Sequence, residues 1–369
     1  MDFDRRDILL SAAAALVAGS SGAARAATGR PFGYAIVGLG QYGLKTIIPQ
    51  FANCAHSRLA AVVSGDPAKA ARVAAEHGLP ASAIYSYETF DTIRNNPDVD
   101  IVYVCLPNSM HAEYTIRAAR AGKHVMCEKP MAISVAECEA MIAACKTAKR
   151  KLMIGYRCHF EATNLEAIRL ASSGAIGKLR YVRSEHGFVM RDPSLWRLKR
   201  ALSGGGSLMD IGIYALQASR YLTGEEPVAV YARESTDRSD PRFTEVEDMI
   251  DFTLEFPSGV MAGCYSMYSA NQNRVLVMGD KGRVELEPAT RYAGNRMWTG
   301  RDGREQEVTP PATPHKTQFA GQLDHLVQCV RTGNEPIVSG EEGLRDMRII
   351  EAIYRSAREG RRIQLGAKA

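Results

Sequence analysis

Tyr34-Ala35-Ile36-Val37-Gly38-Leu39-Gly40-Gln41-Tyr42-Gly43 is the stretch that decides the fold. An apolar, β-branched tetrapeptide leads straight into G-x-G-x-x-G, and a helix-compatible stretch runs on through Phe51. Strand, glycine turn and helix in that order turn a common glycine pattern into a dinucleotide-binding fingerprint. Gly38 permits the tight turn, Gly40 lets the backbone approach a pyrophosphate, and Gly43 lets the helix pack on the strand. The helix N-terminus then faces the phosphates with unpaired N–H groups and the positive end of its dipole. The whole run, Leu39, Gln41 and Tyr42 included, is assigned to the cofactor.

Working outward, Leu59 to Val63 reads as the second strand and ends in Ser64-Gly65. An acid at that point would hold ribose hydroxyls and repel a 2′-phosphate. Asp66 is instead read as the N-cap of a helix that begins at Pro67. That leaves Ser64 to donate to a phosphate and Lys69 to supply charge, so the expected cofactor is NADP. A helix from Ala68 to Glu76, a loop carrying Tyr87, which with Gly65 is assigned to the cofactor, and a buried strand from Ile101 to Cys105 continue the alternation. Ligands of doubly wound sheets sit beyond the carboxyl ends of the strands, which places Leu106, Pro107, Asn108 and His111 at the cofactor. Ala112 to Ala121 is the next helix, and the strand His124 to Cys127 delivers Glu128-Lys129-Pro130 to the same edge.

Upstream, Arg5-Arg6, an alanine-rich stretch from Ile8 to Ala18 and Ala24-Arg25-Ala26 read as a cleavable leader over residues 1–26. Its weak hydrophobicity suits the twin-arginine route, which carries folded proteins, so the expected destination is the periplasm, with no membrane attachment after processing. Three arginines and three aspartates balance within it, so the net charge of +5 is the same with or without it. That charge is spread out, and aromatics are not interleaved with a basic stripe, which argues against nucleic acid. The eight cysteines show no disulfide spacing, and no histidine–cysteine spacing suggests a metal.

Beyond Gly155 the pattern changes from alternating strands and helices to strands joined by turns. Leu179 to Ser184, Val228 to Ala232, Met249 to Phe256, Val260 to Tyr265, Arg274 to Met278 and Arg283 to Leu286 read as strands. Pro257-Ser258-Gly259 and Gly279-Asp280-Lys281-Gly282 are hairpin signals. Residues from Arg301 to Pro314 read only as a polar loop. The expected architecture is α/β: a Rossmann domain over 27–154, then an α+β domain over 155–369 with an open, mainly antiparallel sheet.

Several segments carry a resemblance to the glucose-fructose oxidoreductase branch of the Gfo/Idh/MocA oxidoreductases, aldose-aldose oxidoreductases included. They are Leu106-Pro107-Asn108-Ser109, Glu128-Lys129-Pro130, Leu152 to His159, Trp196-Arg197-Leu198, Gly204 to Tyr214 and Gln322 to Leu326. By that resemblance Arg157, Trp196, Arg197 and Tyr292 complete the cofactor pocket, and Glu128 belongs to it. Lys129, Asp210 and Tyr214 are the catalytic set. Tyr214 stands where most of the family has histidine. The branch's proline-rich arm, which covers the adenine and embraces a neighbour, is absent, which implies a monomer or homodimer rather than a tetramer.

A phenol of ordinary pKa about 10 is a poor base at neutral pH, and an adjacent ammonium lowers it. Tyr214 is therefore expected to be the acid/base, Lys129 its electrostatic partner and donor to the reacting oxygen, and Asp210 the group that orients the sugar. Asp210 and Tyr214, four apart, share a face if the segment is a regular helix. The implied activity oxidises an aldose at its anomeric carbon and reduces a second sugar, with NADP(H) tightly bound and recycled in place. The alternatives are a nicotinamide-dependent glycosidase of the same fold, a dehydrogenase with exchangeable cofactor, and a cofactor-binding protein without turnover.

Overall fold

The computed structural model describes residues 29–366. The leader at 1–26 lies outside them. Six strands, β1 (Phe32–Val37), β2 (Ser57–Val63), β3 (Ile84–Tyr85), β4 (Ile101–Val104), β5 (His124–Cys127) and β6 (Leu152–Ile154), form one parallel sheet in the order β3-β2-β1-β4-β5-β6. The order reverses between β1 and β4, the point where dinucleotides bind in such sheets. β4 is buried along its whole length because helices cover both faces, which explains its unbroken apolar run. The helix Pro67–Glu76 starts as expected: the Asp66 carboxylate accepts from Lys69 N–H at 2.9 Å and Pro67 occupies the first turn. After the fingerprint the helical path is irregular, a π turn over Gly43–Ile47 followed by 3-10 turns over Ile48–Asn53. Pro49 has no N–H for an α-helical bond there.

The second sheet has nine strands: β7 (Leu179–Gly187), β8 (Ala229–Ser235), β9 (Met249–Glu255), β10 (Met261–Met267), β11 (Gln272–Gly279), β12 (Arg283–Leu286), β13 (Met297–Arg301), β14 (Arg304–Val308) and β15 (Ile363–Gln364). Their order is β14-β13-β12-β11-β7-β10-β9-β8-β15, antiparallel throughout except for β7 beside β10. Helices Ala162–Ser172, Ile213–Thr223 and Gly340–Glu359 pack on its inner face. The stretch from Arg301 read as a loop is a correction. Asp302 (φ 51°) and Gly303 (φ 74°) make a two-residue turn that joins β13 to β14, and Asp-Gly is a favoured pair for such hairpins.

The chain then returns to the first sheet. Tyr34 donates its buried hydroxyl to Leu323 O at 2.7 Å, from the helix Gln318–Thr332. In the same helix Asp324 accepts from Ala55 N, His56 N and the Ser57 hydroxyl at 2.7, 3.0 and 2.8 Å. Ile154 N donates to Val338 O, and Met153 bridges Ser339.

Candidate active site

The glycines behave as their positions require. Gly38 has φ +99°, and a Cβ there would meet Cys105 O at 2.5 Å. A Cβ on Gly43 would meet Gly38 O at 2.5 Å, whereas one on Gly40 would meet nothing within 4 Å. Two glycines are thus demanded by the protein's own packing, whereas Gly40 borders open space on the side where a pyrophosphate would approach. At the end of β2, Ser64 is buried and its Oγ accepts from Asp66 N at 3.1 Å, which leaves the hydroxyl proton to donate to a ligand. Lys69 is partly exposed, 3.8 Å from Asp66. The Tyr87 ring lies against Gly65, 3.0 Å from where a Cβ would stand.

At the carboxyl end of β4, Pro107 leads into a short helical turn, and the Asn108 amide donates to Ser203 O at 2.8 Å. This contact ties the first domain to the loop that carries Asp210. His111 departs from expectation. Its ring is fully buried, with Nδ1 2.9 Å from Pro130 O and Nε2 2.9 Å from Leu106 O. Both nitrogens are occupied by backbone, so it staples two loops instead of facing a cofactor. Leu106 is likewise buried and packs on the glycine turn.

Glu128 is buried below the site, where it accepts from the Tyr103 hydroxyl, which in turn accepts from Gln322 at 3.1 Å. Burial pushes its carboxyl up, while Tyr103 and Lys129 pull it down. Lys129 donates to Asp210 O at 2.5 Å, lies 3.6 Å from the Asp210 carboxylate, and stands 5.0 Å from the centre of the Tyr214 ring. Arg197 meets the same carboxylate at 3.1 Å and stacks on Trp196 at 4.7 Å. Tyr268 donates to Asp210 at 3.1 Å. Burial alone would raise Asp210, but Arg197 and Lys129 outweigh it and hold the carboxylate below its usual range. Asp210 lies in a π turn over Leu208–Gly212, after which the α-helix Ile213–Thr223 carries Tyr214. Lys129 therefore links the two residues, in place of a shared regular helix.

Arg157 is buried between two phenol rings, 4.9 Å from Tyr214 and 4.7 Å from Tyr292. Thr290 O, Gln318 and Arg291 O take its terminal N–H groups, and its Nε is buried without an acceptor among the described residues. Tyr292 is itself 53% exposed and packs edge-on to Phe319 at 5.1 Å, with Tyr42 of the fingerprint close by at 6.4 Å. One expectation is reversed here. Burial pushes the Tyr214 hydroxyl up to about 12, and the opposing pull comes from Arg157. Lys129 Nζ stands over the ring, and desolvation of the hydroxyl outweighs the cation that pulls on it most, Arg157.

Thr290, Gln318 and Tyr268 were not found by sequence reasoning. Tyr268 follows a strand with ordinary alternation, and no motif marks it. Among the described residues no cluster of three or more histidine, cysteine, aspartate or glutamate side chains could hold a metal ion.

Comparison with known proteins accords with this layout. Residues 32–156 match the oxidoreductase-family NAD-binding Rossmann fold, and residues 169–365 match the oxidoreductase-family C-terminal alpha/beta domain. The crystal structure of aldose-aldose oxidoreductase from Caulobacter crescentus, complexed with glycerol, is 62% identical, with a TM-score of 0.90 over 91% of this chain and 100% of that one. D-xylose 1-dehydrogenase [NADP(+)] from Haloarcula marismortui is 33% identical over 341 residues, 90% of this chain and 92% of that protein. A levoglucosan dehydrogenase in complex with NADH and L-sorbose shares the fold at 21% identity, with a TM-score of 0.79 over 92% of this chain and 100% of that one. The chain therefore belongs to the Gfo/Idh/MocA oxidoreductase family and is an NAD(P)-dependent oxidoreductase.

Proposed function

We propose that this protein keeps NADP(H) bound, oxidises an aldose at its anomeric carbon to the lactone, and reduces a second sugar to the polyol in alternate half-reactions. The observation that carries this reading is the 62% identity to the Caulobacter crescentus aldose-aldose oxidoreductase over nearly the whole described chain. The acid-free end of β2 and the NADP(+)-dependent relative favour NADP over NAD. The leader supports export by the twin-arginine route to the periplasm, as a monomer or homodimer.

Bound NADP(H) supplies the hydride acceptor and donor. Gly38 to Gly43, Ser64, Lys69 and Arg157 would hold it, and the remaining chemistry belongs to the chain. With its hydroxyl at about 12, Tyr214 is a proton donor at neutral pH. In the reductive half it gives a proton to the carbonyl oxygen and is left as phenolate. That phenolate then takes the proton from the anomeric hydroxyl in the oxidative half, so the cycle is proton-neutral. An ammonium has three donors, and one N–H of Lys129 on Asp210 O leaves others for the reacting oxygen.

The test is purification without added nicotinamide, followed by an absorbance spectrum and then an aldose and fructose together. Retained cofactor, with lactone and polyol formed in equal amounts, is the expected result. Protein that comes off the column cofactor-free and needs added NADP for every turnover would instead be an ordinary dehydrogenase. Tyr214→Phe should lose at least about a hundredfold in turnover, the usual scale for removing a general acid, with cofactor content unchanged.

A further inference from the structure

Asp210 sits in a π turn, a backbone form that does not hold itself as firmly as an α-helix. What holds it lies behind the site. Glu247, two residues before β9, is wholly buried. One of its carboxylate oxygens accepts from Gly206 N at 2.8 Å; the other accepts from Leu208 N at 3.0 Å and from the Tyr354 hydroxyl at 2.8 Å. Its backbone joins in, since Ser207 N donates to Glu247 O at 3.4 Å. A second support comes from Tyr268, whose hydroxyl reaches Gly206 O at 3.3 Å as well as Asp210.

This arrangement explains Gly205 and Gly206, which the cofactor fingerprint does not account for, while Gly204 is the left-handed cap of the turn Arg200–Ser203. A Cβ on Gly206 would collide with Glu247, and one on Gly205 with the Tyr354 hydroxyl. The pair is thin so that a carboxylate and a phenol can reach the backbone. Amides that enter a π turn have no partner within the turn, and an uncompensated buried N–H is costly. The Glu247 carboxylate compensates two at once.

We infer that Glu247 is a positioning residue for hydride transfer: it clamps the amides of residues 206 and 208 and thereby fixes the turn that aims Asp210 at Lys129 and the sugar. Tyr354 braces the clamp from the helix Gly340–Glu359. The inference rests on the sugar-oxidoreductase reading for its kinetic consequence, but not for its structural one.

The experiment compares the full chain with Glu247→Gln and Tyr354→Phe by hydrogen exchange over residues 204–215, and by stopped-flow reduction of the bound cofactor after xylose is added. Glutamine keeps one acceptor oxygen but turns an amide group toward a backbone N–H. Glu247→Gln should exchange faster at 206–212 and transfer hydride at least about tenfold more slowly, the scale of one lost charge-assisted hydrogen bond, at unchanged cofactor occupancy. Tyr354→Phe removes the brace on the Glu247 carboxylate and should lose roughly two- to threefold both in hydride-transfer rate and in exchange protection at 206–212. Unchanged exchange at 206–212 in Glu247→Gln overturns the clamp. A parent-like rate beside a lowered melting temperature overturns its role in positioning. If Glu247→Gln does not fold, parent-like exchange in Tyr354→Phe counts against the clamp. If the parent itself takes no hydride from any aldose, the functional reading fails and the exchange data alone decide the structural claim.

Discussion

Tyr214 and His186 lie with ring centres 6.0 Å apart, and burial acts on them in opposite directions. It keeps both neutral, raising the phenol to about 12 and pulling the imidazole down to about 3, where Arg157 also repels a proton. For His186 the folded value lies below the unfolded one of 6.5. The stability it contributes is therefore present above about pH 6.5 and is lost as pH falls toward 3. By roughly pH 5 the loss from this one group amounts to about 2 kcal/mol. Urea melts across that range should show the decline, and His186→Gln should flatten it; a variant with the parent's slope would assign the decline to other groups. At this scale legibility was uneven. Lys129, Asp210 and Tyr214 were found through motifs and do converge. His111 was misplaced because a histidine after a strand end looks the same in sequence whether it meets a ligand or two carbonyls. Tyr268 and Glu247 left no mark, since their partners come from distant strands.

The strands of both sheets were legible because each kind of burial writes its own pattern. Two-sided burial gives the apolar run of β4, and one-sided burial gives the alternation of β9 and β10. β13 and β14 were missed because β14 is mostly exposed and polar, so only the Asp302-Gly303 turn could have betrayed them. The π turn was missed as well, because its cause is the Glu247 clamp and not its own residues. The fingerprint allows a sharper test than its mere presence. Gly38→Ala meets Cys105 O in a left-handed conformation and should destabilise the protein outright. Gly40→Ala meets nothing, so cofactor-free protein should melt within about 0.5 kcal/mol of the parent, yet purify with less bound cofactor. Equal occupancy in Gly40→Ala would remove the pyrophosphate from that turn.

At the scale of the whole molecule, the two sheets share one hydrophobic core that runs from β1 through to β15. All eight cysteines are free thiols, six of them buried and so shielded from oxidation and exchange. The return of the helix Gln318–Thr332 to the first sheet bears on how that folding proceeds. Asp324 satisfies the backbone that opens β2, and Leu323 takes the hydroxyl of Tyr34 in β1. A fragment ending at Tyr156 would leave those groups unpaired and should be insoluble or molten, as near-ultraviolet circular dichroism would show. On the ribosome the consequence is one of timing. The dinucleotide fold leaves the exit tunnel early but is finished late, since nearly three hundred residues separate Tyr34 from Leu323. A nascent chain therefore has no completed cradle to load until almost all of it has been made, and loading becomes a late checkpoint on the entire polypeptide.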